Sequence, residues 1–249
     1  MKCILLVAGY ATRLYPLTEN MPKSLLKVAG KTILEHILDK VKEIESIDEV
    51  ILVSNDRFYI QFKEWVEQYT FNKKLTVLND QTTTNENRLG AIADLKFAID
   101  SLKIEDDILV LAGDNLFDFS LEEFVAYFQK VQGNCITVNE LEDIEALIRT
   151  GVVEVDEKGI AISFEEKPQQ PKSNLAVPPF YIYQKTTLPL IEHYLKEGNN
   201  PDAPGNFIPW LIQKDKVYTY QFEGRRYDIG THESYKMVNE LFSKDGLSS

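Results

Sequence analysis

A loop rich in small residues follows the first apolar run of the sequence and contains two cations. The apolar run Cys3 to Val7 leads directly to Gly9, and Arg13 and Lys23 follow in the same loop. At the carboxyl end of a strand, the backbone N–H groups of such a loop can bind a phosphate chain. A guanidinium adds a planar fork of donors and a lysine adds a point charge. The residues alone also allow a plain turn with two solvated cations, and they match neither GxxxxGK[ST] nor GxGxxG.

A carboxylate and a charged turn are further candidates for chemistry. Asp114 ends an apolar, strand-like run. A carboxylate at the end of a buried strand, beside bound phosphates, is a suitable oxygen ligand for a hard divalent cation. Glu166 and Lys167 lie together in the segment FEEKP. Composition alone favours a capping role for Asp114 and a solvated charged turn for Glu166 and Lys167.

The net charge restricts the partners that the chain can have. The formal charge of -12 repels polyanions, so we expect no binding to nucleic acid or to an acidic membrane. A small anionic substrate would need the local cations described above. Cys3 and Cys135 lack metal-binding spacing and are expected to be buried thiols. The N-terminus lacks signal-peptide features and no run approaches the ~20 apolar residues of a membrane span, so we expect a cytoplasmic location.

Apolar patterning predicts the elements that must position these residues. Apolar residues at spacings of three and four predict helices from Ile33 to Val41 and from Leu89 to Phe97, the first with a capping box of Thr32 and Glu35. Short runs rich in Val, Ile and Leu predict strands buried on both faces of a parallel sheet. These runs are 3–7, 50–53, 75–78 and 108–111. Alternating strands and helices imply a doubly wound sheet whose ligands bind beyond the carboxyl ends of its strands.

The second half of the chain has a different pattern. Residues 151–156 and 160–164 flank Glu157-Lys158-Gly159 and predict a β-hairpin. Further elements are strands at 177–183 and 217–222 and helices at 186–196, at 207–213 and from about His232. No linker is long enough to separate two domains. We therefore expect a single domain over residues 1–243 and a frayed tail at 244–249.

The first loop resembles the signature of the sugar-1-phosphate nucleotidylyltransferase family, which includes the glucose-1-phosphate thymidylyl- and uridylyltransferases. Residues 6–18 and 22–25 read LVAGYATRLYPLT and PKSL, against the family pattern L-A-x-G-x-G-T-R-L-x-P-L-T and P-K-x-L. The segments LAGDN, FEEKP and YDIGT resemble three further family motifs and occur in the same order. Ala11 replaces the second glycine of the pattern and narrows the allowed φ. Arg226 and Tyr227 depart from the aromatic placement that is usual before Asp228.

The resemblance implies a nucleotide site and a metal site. The catalytic residues would be Arg13, Lys23 and Asp114, with Arg13 and Lys23 holding the phosphates. Asp114 and Asp228 would together ligate Mg²⁺, the implied cofactor. The implied nucleotide-binding residues of the loop and of the Gly-Asp motif are Ala8, Gly9, Tyr10, Ala11, Thr12 and Gly113.

The resemblance also implies a site for the sugar phosphate. Glu166 would accept hydrogen bonds from sugar hydroxyls, and Lys167 would bind the phosphate. Gly151, Val177 and Tyr181 complete the implied pocket, although an aromatic residue on a strand is more often part of the core. Pro178-Pro179 replaces a segment in which relatives often carry glycine.

The segment 79–94 resembles the family least. Relatives bind the base in this region with a glutamine and with a helix that starts near a glycine. Gly90, at the start of a predicted helix, is the first candidate, and Gln81 is the second. Asn85 and Asn87 also lie here, but such side chains are equally typical of turns and N-caps.

The implied fold is α/β, a Rossmann-like doubly wound mixed sheet of the nucleotide-diphospho-sugar transferase type with an inserted, β-rich, sugar-binding lobe. The nucleotide-binding half would cover about residues 1–133 and the sugar-binding half about residues 134–243. Because the chain ends soon after Thr231, we expect it to lack the added β-helix of some relatives. A homo-oligomer is compatible with the family, but the sequence reveals no interface.

The implied reaction joins a nucleoside triphosphate to a sugar-1-phosphate and releases pyrophosphate, by Mg²⁺-assisted in-line displacement without a covalent intermediate. The expected substrates are dTTP or UTP and a glucose-type 1-phosphate. Three alternatives stay open. They are a choline-phosphate cytidylyltransferase, a catalytically silent subunit that binds sugar nucleotides, and an oxidoreductase suggested by the sheet alone.

Overall fold

A computed structural model describes residues 1–244 of the chain. The strands are β1 (Lys2–Leu6), β2 (Lys27–Val28), β3 (Lys31–Thr32), β4 (Glu49–Ser54), β5 (Lys74–Asn79), β6 (Ile108–Ala112), β7 (Asn115–Phe117), β8 (Asn134–Glu140), β9 (Gly151–Val155), β10 (Ala161–Glu166), β11 (Leu175–Val177), β12 (Phe180–Tyr183), β13 (Val217–Gln221) and β14 (Arg226–Asp228). The α-helices are α1 (Ile33–Val41), α2 (Asp56–Gln68), α3 (Ala91–Leu102), α4 (Leu121–Val131), α5 (Ile144–Leu147), α6 (Leu188–Lys196), α7 (Ile208–Leu211) and α8 (His232–Lys244).

One large mixed sheet forms the centre of the molecule. Its strand order is β10-β9-β11-β8-β12-β6-β1-β4-β5, with β13 paired to β8. Strands β6, β1, β4 and β5 run parallel, as the apolar runs predicted. Side chains of β1 alternate between two hydrophobic clusters, with Cys3 and Leu5 in one and Ile4 in the other. The sheet is therefore covered on both faces, which explains why its strands are continuously apolar. The predicted α/β fold is confirmed.

The order of the parallel strands reverses at β1. The chain runs outward from β1 to β4 and β5, and then returns to place β6 on the other side of β1. Such a reversal leaves a crevice beyond the carboxyl ends of the two strands at the switch point. The residues after Leu6 and after Ala112, which include Gly9 and Asp114, start at this crevice.

Helix α1 begins with the predicted capping box. The Glu35 backbone N–H donates to Thr32 Oγ1 (3.1 Å), and the Glu35 carboxylate accepts from the Thr32 backbone N–H. The apolar positions spaced three and four apart are at most 1% exposed. The spacing thus places one face of α1 against the sheet, as expected for an amphipathic helix.

The second half confirms the hairpin and corrects one strand. Strands β9 and β10 are antiparallel, as predicted. The single strand predicted at 177–183 is wrong, because it is divided at Pro178-Pro179 into β11 and β12. Proline has no N–H to donate to a sheet, so a strand cannot continue in register through two of them.

Strands β7 and β14 form a separate two-stranded ribbon. They are antiparallel and pair Asp228 with Asn115, Tyr227 with Leu116 and Arg226 with Phe117. This ribbon brings the Gly-Asp motif and the YDIGT motif together. Helix α8 follows and extends to Lys244, the first residue of the predicted tail, while 245–249 lie outside the described residues. None of the helices within residues 1–244 has both the length and the apolar character that crossing a bilayer requires.

Candidate active site

A cleft of about 470 Å³ opens beyond the carboxyl ends of β1 and β6. The predicted residues that line it are Ala8, Gly9, Tyr10, Ala11, Thr12, Arg13, Lys23, Gly90, Gly113 and Asp114. Residues from the segment 85–94 and from 202–204 line it as well. The two cations of the first loop therefore share one cleft with the carboxylate of the Gly-Asp motif.

The first loop is held by specific hydrogen bonds. Ala11 lies in the left-handed region (φ 47, ψ 41), and its carbonyl accepts from Thr18 Oγ1 (2.8 Å) and from the Leu14 backbone N–H (2.9 Å). Asn55, fully buried at the start of α2, donates from Nδ2 to the Ala8 carbonyl (2.8 Å). These hydrogen bonds keep Ala11, which has a Cβ, in a conformation that glycine adopts more readily.

Lys23 and Asp114 form an ion pair inside the cleft. Lys23 Nζ lies 2.9 Å from Asp114 Oδ2, and Asn115 Nδ2 donates to Asp114 Oδ1 (2.6 Å). Burial would raise the pKa of Asp114, but the charge and hydrogen bond of Lys23 outweigh it and lower that pKa below its ordinary value. A Cβ at Gly113 would overlap the Val7 side chain, so only glycine brings Asp114 this close to β1.

Asp228 lies in the two-stranded ribbon and near Arg13. The pairing of β14 with β7 sets Asp228 opposite Asn115, the residue that follows Asp114. A Cβ at Gly230, which lines the cleft, would lie 3.5 Å from Arg13 Nη2 and 3.6 Å from Asp228 Oδ2. Arg13 and Asp228 thus lie on either side of Gly230 at the rim of the cleft, and Asp228 itself is not part of the lining.

The predicted sugar-phosphate residues lie in the second half of the sheet. Glu166 Oε2 lies 3.4 Å from the position of a Cβ at Gly151 and contacts that of Gly205 even more closely. Burial raises the pKa of Glu166, against the opposing charges of Lys167 and Arg226. Lys167 is 62% exposed, and its Nζ lies 3.9 Å from Glu166 Oε1.

Two other predicted residues of the sugar site are core residues. Val177 and Tyr181 are 3% and 2% exposed, and both belong to the hydrophobic cluster on one face of the sheet. Neither lines the cleft described above. A pocket role for Val177 and Tyr181 stays a prediction.

The start of α3 forms one wall of the cleft and is in contact with the loop 201–204. Gly90 has a φ of 94°, and a Cβ there would lie 2.7 Å from the Pro201 carbonyl oxygen. Arg88 donates from Nε and Nη2 to both carboxylate oxygens of Asp202 (2.9 and 2.7 Å). Gln81 is exposed outside the lining, whereas Asn85, the other amide candidate, is part of it.

The chain matches the family model described as nucleotidyl transferase over residues 2–245. The chain belongs to the nucleotidyl transferase family. The family that the four motifs predicted is therefore confirmed. In this family, the charged cleft at the switch point of the sheet is the natural place to look for the active site.

Individual relatives support the same assignment. The chain is 32% identical over 232 residues to the bifunctional protein GlmU of Methanocaldococcus jannaschii, an alignment that covers 92% of this chain and 51% of the relative. It thus spans about half the length of that relative. Among solved structures, a Bacillus anthracis protein provisionally named a glucose-1-phosphate thymidylyltransferase, in complex with sucrose, is 25% identical with a TM-score of 0.80, covering 98% and 95% of the two chains. A UDP-glucose pyrophosphorylase complexed with UDP-glucose shares the fold, with 21% identity, a TM-score of 0.81 and 98% coverage of each chain.

Arg226 is a charged residue of the site that sequence reasoning missed. It lies two residues before Asp228, so both side chains leave the same face of β14. Its positive charge lies near enough to act on Asp114, Glu166 and Tyr181. It adds to the lowering of the pKa of Asp114 by Lys23, and it only partly opposes the burial that raises the pKa values of Glu166 and Tyr181. Arg226 therefore lies between Asp114 and Glu166, the carboxylates of two predicted sites. Its replacement of the usual aromatic residue was the signal in the sequence.

The donor atoms at the cleft rim fit a hard divalent cation. Asp114 and Asp228 offer carboxylate oxygens, the ligand type that Mg²⁺ prefers. Within residues 1–244, no group of three or more His, Cys, Asp or Glu side chains could hold a metal. Mg²⁺ typically takes one or two carboxylates and completes its shell with water and substrate phosphate oxygens. Two carboxylates thus suit a metal that arrives with a nucleotide.

Proposed function

We propose that this chain transfers a nucleotidyl group from a nucleoside triphosphate to a sugar-1-phosphate, giving an NDP-sugar and pyrophosphate. The observation that carries the proposal is that Arg13, Lys23 and Asp114 share the switch-point cleft, with Asp228 near Arg13 at its rim. An overall charge of -12 would repel such substrates, so the cations must be concentrated where the phosphates bind. The cleft provides that concentration.

The proposed reaction is a single in-line displacement. An oxygen of the sugar phosphate forms a bond to the α-phosphorus, and the bond from that phosphorus to the β-bridging oxygen breaks, so pyrophosphate carries away the electron pair. The protein contributes orientation and charge stabilisation, as is usual for phosphoryl-type transfers. Arg13 would bind the leaving phosphates and Lys23 would stabilise charge near the α-phosphate.

The sugar phosphate would enter from the side of Glu166 and Lys167. Glu166 is largely buried and its carboxylate has a defined position against Gly151 and Gly205, as expected for an acceptor that orients hydroxyls. Lys167, which is exposed, and Arg226, which is partly buried, would hold the phosphate that attacks. Two cations flanking one acceptor suit a ligand with one phosphate and several hydroxyls.

Asp114 and Asp228 would hold Mg²⁺, whose charge would neutralise the phosphoryl oxygens when the nucleotide is bound. We propose dTTP or UTP and a glucose-type 1-phosphate as the substrates. This choice is supported by the names of the solved relatives, one a thymidylyltransferase and one complexed with UDP-glucose.

A substrate matrix tests the proposal directly. The purified chain would be incubated with each nucleoside triphosphate against a set of sugar-1-phosphates and phosphocholine, with MgCl₂, and pyrophosphate release would be measured. We expect release with at least one sugar-1-phosphate and none with phosphocholine. Release with phosphocholine alone would indicate a choline-phosphate cytidylyltransferase, and no release with any pair would indicate a silent subunit. The pair with the highest kcat/KM identifies the base and the sugar.

A further inference from the structure

Two buried carboxyl groups lie behind the wall of the cleft that α3 forms. Asp80 follows the end of β5 and Asp94 lies in the first turns of α3, and each is only 6% exposed. Among residues 1–244, Asp80 Oδ2 and Asp94 Oδ1 are buried oxygens without a hydrogen-bond partner, and the two carboxyl groups lie within hydrogen-bonding reach of each other. Two buried carboxylates in contact cannot both be ionised, so the pair shares a proton.

Asp80 is fixed in place by its surroundings. Its Oδ1 accepts from the Thr82 backbone N–H (2.7 Å), and its own N–H donates to the Ser54 carbonyl (2.8 Å). Thr82 Oγ1 lies 3.4 Å from the hydroxyl of Tyr10, which lines the cleft. Asp80 is therefore anchored to the sheet and does not itself line the cleft. It can orient its neighbour but not a ligand.

Asp94 is the member of the pair that lines the cleft. Its backbone N–H donates to the Gly90 carbonyl (2.9 Å), so it lies one helical turn after Gly90 and on the same face of α3. Asn85 and Arg88 line the same wall, and Arg88 is neutralised by Asp202. Asp94 holds the proton of the carboxyl pair and is neutral, while the remaining negative charge lies on Asp80 behind the wall. The side chains that line this wall thus carry no net charge, which suits a nucleobase better than a phosphate.

If the pair only joined α3 to the end of β5, the burial of two carboxyl groups would cost free energy without a functional return. Apolar side chains of similar volume usually replace buried polar pairs at no loss of stability. A carboxyl that is buried, held by a second carboxyl and placed at a cleft wall has a defined orientation. That orientation is what recognition of a base edge requires.

We propose that Asp94 contacts the base of the nucleotide, accepting a hydrogen bond from a base N–H, and that Asp80 positions it. The inference rests on the proposed function, because it assumes that the cleft binds a nucleotide. With the shared proton directed at Asp80, the other oxygen of Asp94 is an acceptor. It fits a base edge that presents an N–H, such as N3–H of uracil or thymine.

The test is a binding experiment that separates the base from the phosphates. Isothermal titration would measure the Kd of UTP, dTTP and inorganic tripolyphosphate, which has no base, for the wild type, D94A, D94S and D94N. D100A, an exposed change on the same helix, is the matched control. We expect D94A and D94S to weaken binding of the preferred nucleotide about tenfold, the scale of one lost hydrogen bond. Tripolyphosphate binding should not change.

The conservative variant sharpens the outcome. In D94N the amide N–H₂ can donate to Asp80 while the amide oxygen still accepts from the base, so affinity should stay near that of the wild type. An equal loss of affinity for the nucleotide and for tripolyphosphate, or no loss of affinity in D94A and D94S, would overturn the role of Asp94. Neither result would bear on the proposed function. A wild type that binds neither nucleotide would overturn the choice of dTTP or UTP and this inference together, while the substrate matrix would still test the transfer of another nucleotide.

Discussion

One wall of the cleft is formed by the first loop and the Gly-Asp motif (the loop wall), and another by the start of α3 (the α3 wall). The charged side chains of these two walls are arranged in opposite ways. On the loop wall, Lys23 and Asp114 pair at 2.9 Å, and Arg13 lies beside Asp228 at the rim. On the α3 wall, Arg88 is neutralised by two hydrogen bonds to Asp202, and Asp94 is neutral because it holds the proton of the carboxyl pair, whose remaining negative charge lies on Asp80 behind the wall. The first wall offers charges that a substrate and a metal can engage. The second offers polar atoms whose charge is already balanced.

The difference teaches how one cleft can bind a molecule with two unlike ends. A triphosphate needs cations, because neutral donors cannot offset its charge in a partly dry site. A base needs oriented donors and acceptors without net charge, because a free charge beside a neutral ring would be desolvated without compensation. The following changes either remove this contrast or make it sharper.

The largest effect is expected for the Lys23–Asp114 pair. Lys23→Ala or Asp114→Ala should lower kcat by at least ~100-fold, because each removes one electrostatic stabiliser of the transferring phosphate. Steady-state pyrophosphate release would measure it. Lys27→Ala, which removes an exposed lysine four residues away, should leave kcat unchanged. Near-normal turnover in both cleft variants would remove the assignment of the loop wall to catalysis.

Arg226 should affect the binding of the sugar phosphate and not the binding of the nucleotide. Arg226→Ala should raise the KM for the sugar-1-phosphate about tenfold, the scale of a lost charged hydrogen bond, with little change in the KM for the nucleotide. Arg226→Lys should recover part of the loss, because the lysine ammonium keeps the positive charge but lacks the planar pair of donors of the guanidinium. Arg225→Ala, an exposed neighbour, is the control. If the two KM values rose together, Arg226 would act through Asp114 instead.

The Asp80–Asp94 pair should make stability depend on pH. Burial first, and then the charge and hydrogen bond of Asp80, raise the pKa of Asp94 to about 8. Its unfolded value is about 3.9, so the folded chain holds the proton more tightly. The stability that this proton provides is complete below about pH 4 and is lost as the pH rises through about 8. Asp80, whose pKa burial also raises, faces Asp94 directly, and Asp56 faces Asp80.

Asp94→Asn isolates this contribution, because an amide does not titrate. Between about pH 5 and pH 8.5, the free energy of unfolding of the wild type should fall by at least about 1.4 kcal/mol more than that of D94N, the equivalent of one pKa unit. Urea unfolding at the two pH values would measure the difference. Parallel pH profiles for the two proteins would show that Asp94 is not protonated in the folded state.

Local patterns predicted the parts of the molecule that depend on neighbours in sequence. The buried strands, the Thr32–Glu35 capping box and the first loop follow from short runs whose chemistry is complete within a few residues. Arg226 and Asp94 were not predicted as site residues, because their roles arise from contacts across the fold. Arg226 reaches the site through the pairing of β14 with β7, and Asp94 through the packing of α3 beside Asp80.

The smallest expected effect concerns the conformation of the first loop. Ala11 has a φ of 47° where the family pattern has glycine, and a Cβ in the left-handed region costs about 1 kcal/mol. Ala11→Gly should relieve this strain, although glycine also makes the unfolded chain more flexible, so the net gain in stability should be about 1 kcal/mol or less. Ala29→Gly, at a second left-handed alanine outside the cleft (φ 49), is the control for stability alone. If Ala11 also shapes the phosphate loop, only Ala11→Gly should change the KM for the nucleotide, whereas equal KM values in both variants would show that the loop tolerates either residue.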